Sequence, residues 1–156
     1  MLAQDNRLGR RPRSLPEVVM CARADANSGA APFLREFLDE FYTEQDRQTQ
    51  ETMLAVEPPL VDDGKLNAWF AAVAEHLALR YRLKIPDWTQ APARFLHRAW
   101  FPMGLESLKA TYLVESPVAF RRRMIFVEAD PLYRPRRAEM PGEPFKLNEA
   151  SHGQAA

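Results

Sequence analysis

Two stretches of the chain repeat apolar side chains at intervals of three and four residues, the period of one face of an α-helix. The first stripe lies within residues 33–41 and consists of Phe33, Leu34, Phe37, Leu38 and Phe41. The second lies within residues 66–81 and consists of Leu66, Trp69, Phe70, Val73, Leu77 and Tyr81. Because an apolar stripe needs an apolar cover, we predict that both helices share one core, centred on Phe37, Phe41, Trp69, Phe70, Val73 and Leu77.

Local signals mark where helices begin and end. Pro16 suits the first turn of a helix that reaches Arg23. Asp62 or Asp63 suits the N-cap of the long second-stripe helix. Pro86 ends that helix, because proline disfavours helical backbone at the residue before it.

Three weaker patterns predict further short helices. Residues 43–55 are polar but tolerate a helix, with two apolar anchors, Met53 and Leu54. Residues 105–113 predict a helix whose core candidates are Leu105, Leu108, Tyr112 and Leu113. Ser116 as N-cap and Pro117 as first helical residue predict a helix through about Arg123.

Together these elements predict an all-α fold, a single small helical domain of about five helices over residues 15–130. A chain of 156 residues fits one domain. Residues 1–14 predict an irregular basic arm that is disordered unless a partner binds it. Residues 131–156 predict a proline-rich extension and a polar tail, since proline recurs there and prevents regular helix.

Composition narrows the class of protein. The chain has 21 basic and 21 acidic residues, so no overall field steers it towards nucleic acid or an anionic membrane. Cys21 is the only cysteine, which excludes an internal disulfide and is typical of a reducing compartment. No apolar run reaches the length of a membrane span, and no secretory signal is complete. We therefore predict a cytoplasmic protein without membrane contact.

Positive charge is concentrated in three arginine clusters. They are Arg7, Arg10, Arg11 and Arg13, then Arg121, Arg122 and Arg123, then Arg134, Arg136 and Arg137. At about 100° per helical residue, the three central arginines cannot all face one phosphate backbone, so at least one points inward or sideways. The carboxylates that flank them are Glu115, Glu128 and Asp130. An internal ion-pair network, a protein partner and nucleic acid are the three interpretations of this cluster.

The sequence contains no recognisable catalytic or metal-binding motif. Its three histidines, His76, His97 and His152, do not have the spacing of zinc ligands, and neither a phosphate loop nor a nucleophile elbow is present. His76 lies next to the second stripe and is predicted to be a helix-surface or boundary residue. Four carboxylates share one face of the first-stripe helix, which we interpret as a solvated face: Glu36, Asp39, Glu40 and Glu44. We predict no catalytic residue, no cofactor and no metal site, and hence no enzyme.

Several runs of the chain resemble a known family. They are residues 37–42, 57–59, 71–78, 86–88, 98–101 and 115–130. Over roughly residues 33–132 the chain resembles small uncharacterised bacterial proteins, often encoded beside a nucleotidyltransferase-like partner in loci that look like toxin–antitoxin pairs. The resemblance implies an accessory or antitoxin-like role. Some relatives carry an N-terminal helix-turn-helix, for which the first thirty residues here are too short and too broken.

The hypothesis that follows is a protein-interaction module that binds or regulates a partner encoded nearby. Its candidate partner-binding residues are Trp100, Phe101, Arg121, Arg122 and Arg123, because tryptophan and arginine are enriched at interface hot spots. The alternatives are a nucleic-acid-binding regulator that uses the arginine clusters and an enzyme with an unrecognised site. A module requires an exposed apolar patch with no polar cleft. A regulator requires the basic arm and at least one other arginine cluster on one face, and an enzyme requires a deep pocket that holds titratable residues with perturbed pKa.

Overall fold

The computed structural model describes residues 10–135 of the chain. Within that range the helices are α1 (Leu15–Ala24), α2 (Ala31–Thr43), α3 (Arg47–Ala55), α4 (Gly64–Tyr81), α5 (Lys109–Glu115) and α6 (Val118–Arg121). Short 3₁₀ turns occupy Asp87–Gln90, Pro92–Arg94 and Glu106–Leu108. Five of the six helices have seven residues or more, and no strand is present in the described range, so the predicted all-α fold of about five helices is confirmed.

Some predictions fall on parts of the chain outside the described residues. These are residues 1–9 of the basic arm and 136–156 of the C-terminal tail, which include Arg7, Arg136, Arg137 and His152.

Helix α4 is the centre of the fold. It packs against α3, against α6 and against the 3₁₀ turns at Asp87–Gln90 and Pro92–Arg94. In its predicted stripe Phe70, Val73 and Leu77 are buried, whereas Leu66, Trp69 and Tyr81 are partly exposed. Phe37 and Phe41 of α2 are buried in the same cluster. The alanines on its other faces are also buried, so most of α4 is covered, although Lys65, Leu79 and Arg80 near its two ends are exposed.

The starts of α1 and α4 fit the sequence signals, whereas α4 ends at Tyr81, with Arg82 in left-handed backbone, before the predicted stop at Pro86. The Ser14 side chain caps α1 at the N–H of Glu17, with a proline in the first turn, and Asp63 rather than Asp62 caps α4. Helix α3 begins at Arg47 rather than residue 43, because Asp46 accepts from the N–H of Thr49 and starts the helix there. Its two predicted anchors, Met53 and Leu54, are buried.

The predicted core face of α5 is wrong. Among the four core candidates only Tyr112 is buried, while Leu105, Leu108 and Leu113 are exposed. The segment begins with a 3₁₀ turn, so its first residues do not follow the period of the α-helix. The helix predicted from Ser116 is also shorter than expected, since α6 ends at Arg121.

A crossing of two irregular segments closes the domain. Met124 adopts left-handed backbone (φ 61°), which turns the chain out of α6 into an extended stretch. There Trp100 and Ile125 form a parallel bridge, with Trp100 N–H 2.8 Å from Met124 O and Phe126 N–H 2.9 Å from Trp100 O. The short apolar run 125–127 is therefore an extended segment, one of the two alternatives for it.

The described end of the basic arm is bound to α2. Arg13 pairs with Glu40 (3.1 Å) and with Glu44 (2.9 Å), and Arg11 lies 3.7 Å from Glu40. Residues 10–14 have no helix, as predicted, but these contacts fix them, so they are not a free arm. Two of the four carboxylates interpreted as a solvated face, Glu40 and Glu44, are therefore partners of these arginines.

The C-terminal part of the described chain also returns to α2. Arg134 makes a two-point contact with Asp39, at 2.9 and 3.0 Å, and Tyr42 donates to the carbonyl of Leu132 at 2.8 Å. Leu132 itself is buried in the core. The packed region therefore extends past residue 130, where the sequence predicted the domain to end.

Truncation of the central aromatic tests this core. We expect Phe70→Ala to lower the free energy of unfolding by about 3–5 kcal/mol, because Phe70 is fully buried and the chain around it cannot collapse into the space. The matched control is Leu79→Ala on the same helix, whose side chain is 44% exposed. It should change stability by no more than about 0.5 kcal/mol. Equal effects of the two substitutions in denaturant melts would contradict this description of α4.

Candidate protein-binding surface

The segment that carries α5 exposes most of its apolar side chains. We call this the α5 surface and define it by Met103, Leu105, Leu108, Leu113, Val114 and Val118. Val114 is 76% exposed and Val118 is 56% exposed. Exposed apolar residues elsewhere in the described chain, such as Met20 and Leu60, are dispersed along it. Six within sixteen consecutive positions form the kind of concentration that marks interaction sites.

The α5 surface is held by three contacts that face the domain. Tyr112 is the one buried residue of α5. Phe101 stacks on the largely buried Phe126, with ring centroids 5.2 Å apart. Ser116 is buried and accepts a hydrogen bond from the N–H of Val127 at 2.8 Å. The segment is therefore anchored along one side and exposes its other apolar side chains to solvent.

The structure places Trp100 and Phe101 beside the chain that follows the arginines. Trp100 is partly exposed, and its ring lies 5.9 Å from that of Trp69. Lys65 sits over the Trp100 ring and Lys109 over the Phe101 ring, at 5.5 and 5.2 Å. Both predicted aromatics thus remain partly accessible, at the start of the α5 surface.

The three central arginines lie in different environments. Arg121 is exposed and donates to the carbonyl of Ser116 at 3.0 Å. Arg122 is partly exposed and pairs with Glu75 at 2.7 Å. Arg123 has no exposed side-chain area and also pairs with Glu75. Arg123 therefore offers no surface to a partner, which corrects the predicted set at that residue. Arg122 keeps 42% of its side chain exposed although it pairs with Glu75, so the partner-binding role of Arg121 and Arg122 stays a prediction.

The carboxylate that binds these arginines is not one of the flanking residues considered in the sequence. It is Glu75 on α4, whose side chain is only 3% exposed. Burial of charge is offset by hydrogen bonds, since Arg123 also donates to the carbonyls of Ala119 (2.7 Å) and Thr89 (2.6 Å). The Phe95 ring covers the guanidinium at 4.6 Å. Burial lowers the pKa of Arg123, and its contact with Glu75 opposes that shift.

A signal for Glu75 was present in the sequence. Residues 66–79 contain one charged side chain, Glu75, at about 180° from Leu66 on the helix. Alanines surround Glu75 on that face of the helix, so the sequence indicates a second packed face of α4. The sequence does not reveal Arg94 as a buried residue either, because Arg94 lies in a 3₁₀ turn, where apolar residues do not recur at a regular spacing.

Arg94 forms a second buried arginine centre. It has no exposed side-chain area, pairs with Glu57 at 3.1 Å and donates to the carbonyl of Pro58. Its guanidinium carbon lies 5.0 Å from the centre of the Trp88 ring. This arginine ties the segment after α3 to the turn before residue 95, and it too is structural.

His76 is partly buried, at the boundary between the core and the surface, and one of its ring nitrogens is enclosed. Its Nε2 is buried and has no hydrogen-bond partner within the described part of the chain, and its ring lies 5.6 Å from that of Phe120. Burial lowers the pKa of His76, nearby Arg80 lowers it further, and Asp130 opposes the shift. His97 is exposed.

Two open grooves mark the described surface. One, of about 460 Å³, has charged residues in its lining, which includes Glu51, Glu57, Lys84, Asp87 and Trp88. The other, of about 350 Å³, is mainly apolar and contains Trp69 and Trp100. His76 lines neither groove.

Residues 10–135 contain no group of three or more histidine, cysteine or acidic side chains arranged to hold a metal ion. None of the helices in this range is long and apolar enough to cross a membrane.

Comparison with protein-family models, curated proteins and solved structures finds no match to this chain. The family resemblance stays a prediction, and function is inferred from the geometry of the chain itself.

The buried charge centre gives a mutational prediction. Glu75→Leu should lower the free energy of unfolding by about 3–5 kcal/mol, because it leaves the Arg123 guanidinium buried without its counter-charge. Adding Arg123→Met to that variant should recover much of the loss, since an apolar pair of similar size replaces the ion pair. Chemical denaturation of the two single variants and the double variant measures the coupling. Strictly additive losses would show that the two side chains do not depend on each other.

Acid should weaken the fold through His76. Its folded-state pKa is lowered, so the unfolded chain takes up a proton more readily as pH falls below the ordinary value of 6.5. The free energy of unfolding should therefore fall from about pH 7.5 to about pH 5.5, a range above the ordinary titration of carboxylates. His76→Gln should flatten this dependence, whereas His97→Gln, at an exposed position, should retain it. An unchanged pH dependence in the His76 variant would contradict the assignment.

Proposed function

We propose that this chain is a protein-interaction module that binds or regulates a partner protein through the α5 surface. The proposal includes an antitoxin-like role towards a partner encoded nearby, as the family resemblance implies, and a cytoplasmic location, as the single Cys21 indicates. It assigns no catalytic role to the chain.

One observation carries the proposal. Helix α5 buries a single side chain, Tyr112, and exposes apolar residues on either side of it. A short helix gains little stability from its own hydrogen bonds and depends on apolar packing. An apolar segment that the domain holds in place but does not cover is suited to burial by another protein. It supplies the exposed apolar patch that a module requires, although a groove lined by charged residues such as Glu51 and Lys84 is also present.

The electrostatics of the described chain favour protein over nucleic acid as the partner. Arginines of each cluster are used within the domain: Arg13 binds Glu40 and Glu44, Arg123 binds Glu75, and Arg134 binds Asp39. Phosphate binding would have to compete with these carboxylates. Arg121, which is exposed at the end of α6, is the member of the central cluster best placed to contact a partner.

A charged residue on the α5 surface tests the proposal. We expect Val114→Lys to abolish or strongly weaken capture of the neighbouring gene's product, because a buried ammonium without a partner is costly at an interface. The control is Val56→Lys, since Val56 is 57% exposed but lies outside the α5 surface. Co-purification and size-exclusion chromatography measure binding, and thermal melts measure the fold.

The two variants should melt alike, because both side chains are exposed. If Val56→Lys weakens capture as much as Val114→Lys, the α5 surface is not the interface. If the wild-type chain does not bind the neighbouring product at all, the proposed partner is wrong.

A further inference from the structure

The mainly apolar groove has two tryptophans in its lining. It lies between α2, the start of α4 and the irregular segments at residues 100–102 and 131–134. We call it the tryptophan groove and define it by Leu34, Leu38, Leu66, Trp69, Trp100 and Leu132. Its volume of about 350 Å³ lies within the range of ligand-binding clefts. Four separate parts of the chain contribute side chains to it, so the groove is formed by residues that are far apart in the sequence.

The charged residues that line the tryptophan groove are both basic. They are Arg35 and Arg134, and no carboxylate lines it. Arg134 is neutralised by Asp39, but the exposed Arg35 makes no ion pair within residues 10–135. A further cation, the ammonium of Lys65, lies 5.5 Å from the centre of the Trp100 ring. The groove therefore combines an apolar floor with unneutralised positive charge at its edge.

The two indoles also offer hydrogen bonds that the described chain does not use. Trp88 donates its indole N–H to the carbonyl of Leu54 at 3.1 Å. Trp69 and Trp100 make no such contact within the described residues, and neither indole nitrogen is buried. Amphipathic rings with free N–H groups are common anchors of binding sites.

From this geometry we infer that the tryptophan groove binds an amphipathic segment of a partner protein whose apolar face is flanked by acidic residues. Apolar side chains of such a segment pack on Trp69 and Trp100, as an amphipathic helix does in a hydrophobic groove. Its carboxylates pair with the guanidinium of Arg35, which forms planar two-point contacts, and with the ammonium of Lys65. A basic segment is disfavoured by the same charges.

This inference goes beyond the α5 surface and does not depend on it. The groove reaches Pro102, and the α5 surface begins at Met103, so the two adjoin along the chain. Substitutions at Val114 and at Arg35 address them separately.

Selection of peptides on the full chain tests the inference. The probe is a displayed library of random peptides of about 16 residues, enough for four helical turns. Selected peptides should carry apolar residues at helical spacing together with glutamate or aspartate. Their synthetic forms should bind at least about tenfold more weakly when each acidic residue is replaced by its amide. No enrichment, or enrichment without acidic residues, would overturn the inference.

Charge reversal at the edge of the groove locates the binding. Arg35→Glu should weaken the selected acidic peptides by about tenfold or more and should shift a repeated selection towards basic peptides, because like charges now meet. Arg35 is exposed, so this variant should melt like the wild type, which is checked directly. Arg23→Glu is the matched control, an exposed arginine of α1 outside the groove.

The remaining outcomes distinguish the proposed acidic segment from other occupants of the tryptophan groove. Equal loss in the Arg23 and Arg35 variants would mean a non-specific charge effect and would overturn the inference. Competition by a second copy of the chain, or by single-stranded DNA, at the same concentrations as the peptide would assign the groove to that occupant instead. Retained capture of the neighbouring product by Arg35→Glu would leave the α5 surface proposal intact.

Discussion

The ion pair between Glu75 and Arg123 is the constraint on which much of the fold depends. Glu75 lies at the middle of α4, and Arg123 lies in the turn after α6, so their contact fixes the end of the domain against its centre. Arg123 also binds the carbonyl of Thr89, which holds the intervening 3₁₀ turn in the same place. Charges buried in this way are costly to desolvate. Hydrogen bonds from several elements offset part of that cost, although Arg123 Nε has no partner within the described residues.

Arginines outside the central cluster are also bound to carboxylates of the domain, although exposed arginines such as Arg23 and Arg122 remain at the described surface. Arginine supplies the ties between distant segments: residue 13 to α2, residue 94 to the segment after α3, and residue 134 to α2. A guanidinium suits this task because it reaches several acceptors in a fixed planar arrangement. Arg35 and Arg121 remain exposed, and both adjoin surfaces that carry uncovered apolar side chains.

The two candidate surfaces have a common structural origin. The chain from Trp100 to Val118 leaves the core after its bridge to Ile125, and it is anchored mainly by Phe101, Tyr112 and Ser116. Where this segment leaves the core, the Trp69 and Trp100 rings line the tryptophan groove on one side. The α5 surface is exposed to solvent on the other. A partner that covered both would bury apolar area that the domain itself leaves exposed, which is the main source of affinity at interfaces with few charges.

The sequence by itself determined the helices and most of the core. Periodicity and helix-start signals are local, so the stripes of α2 and α4, the starts marked by Pro16 and by Asp62 or Asp63, and the burial of Phe37, Phe41 and Phe70 could be predicted. Only the tertiary structure decided where the arginines point, because their carboxylate partners are tens of residues away along the chain, as Glu75 is from Arg123. It likewise decided that α5 is uncovered, since an apolar residue carries the same sequence signal whether or not another element packs on it. Periodicity reports which side chains share a face, and long-range packing determines which faces are left for a partner.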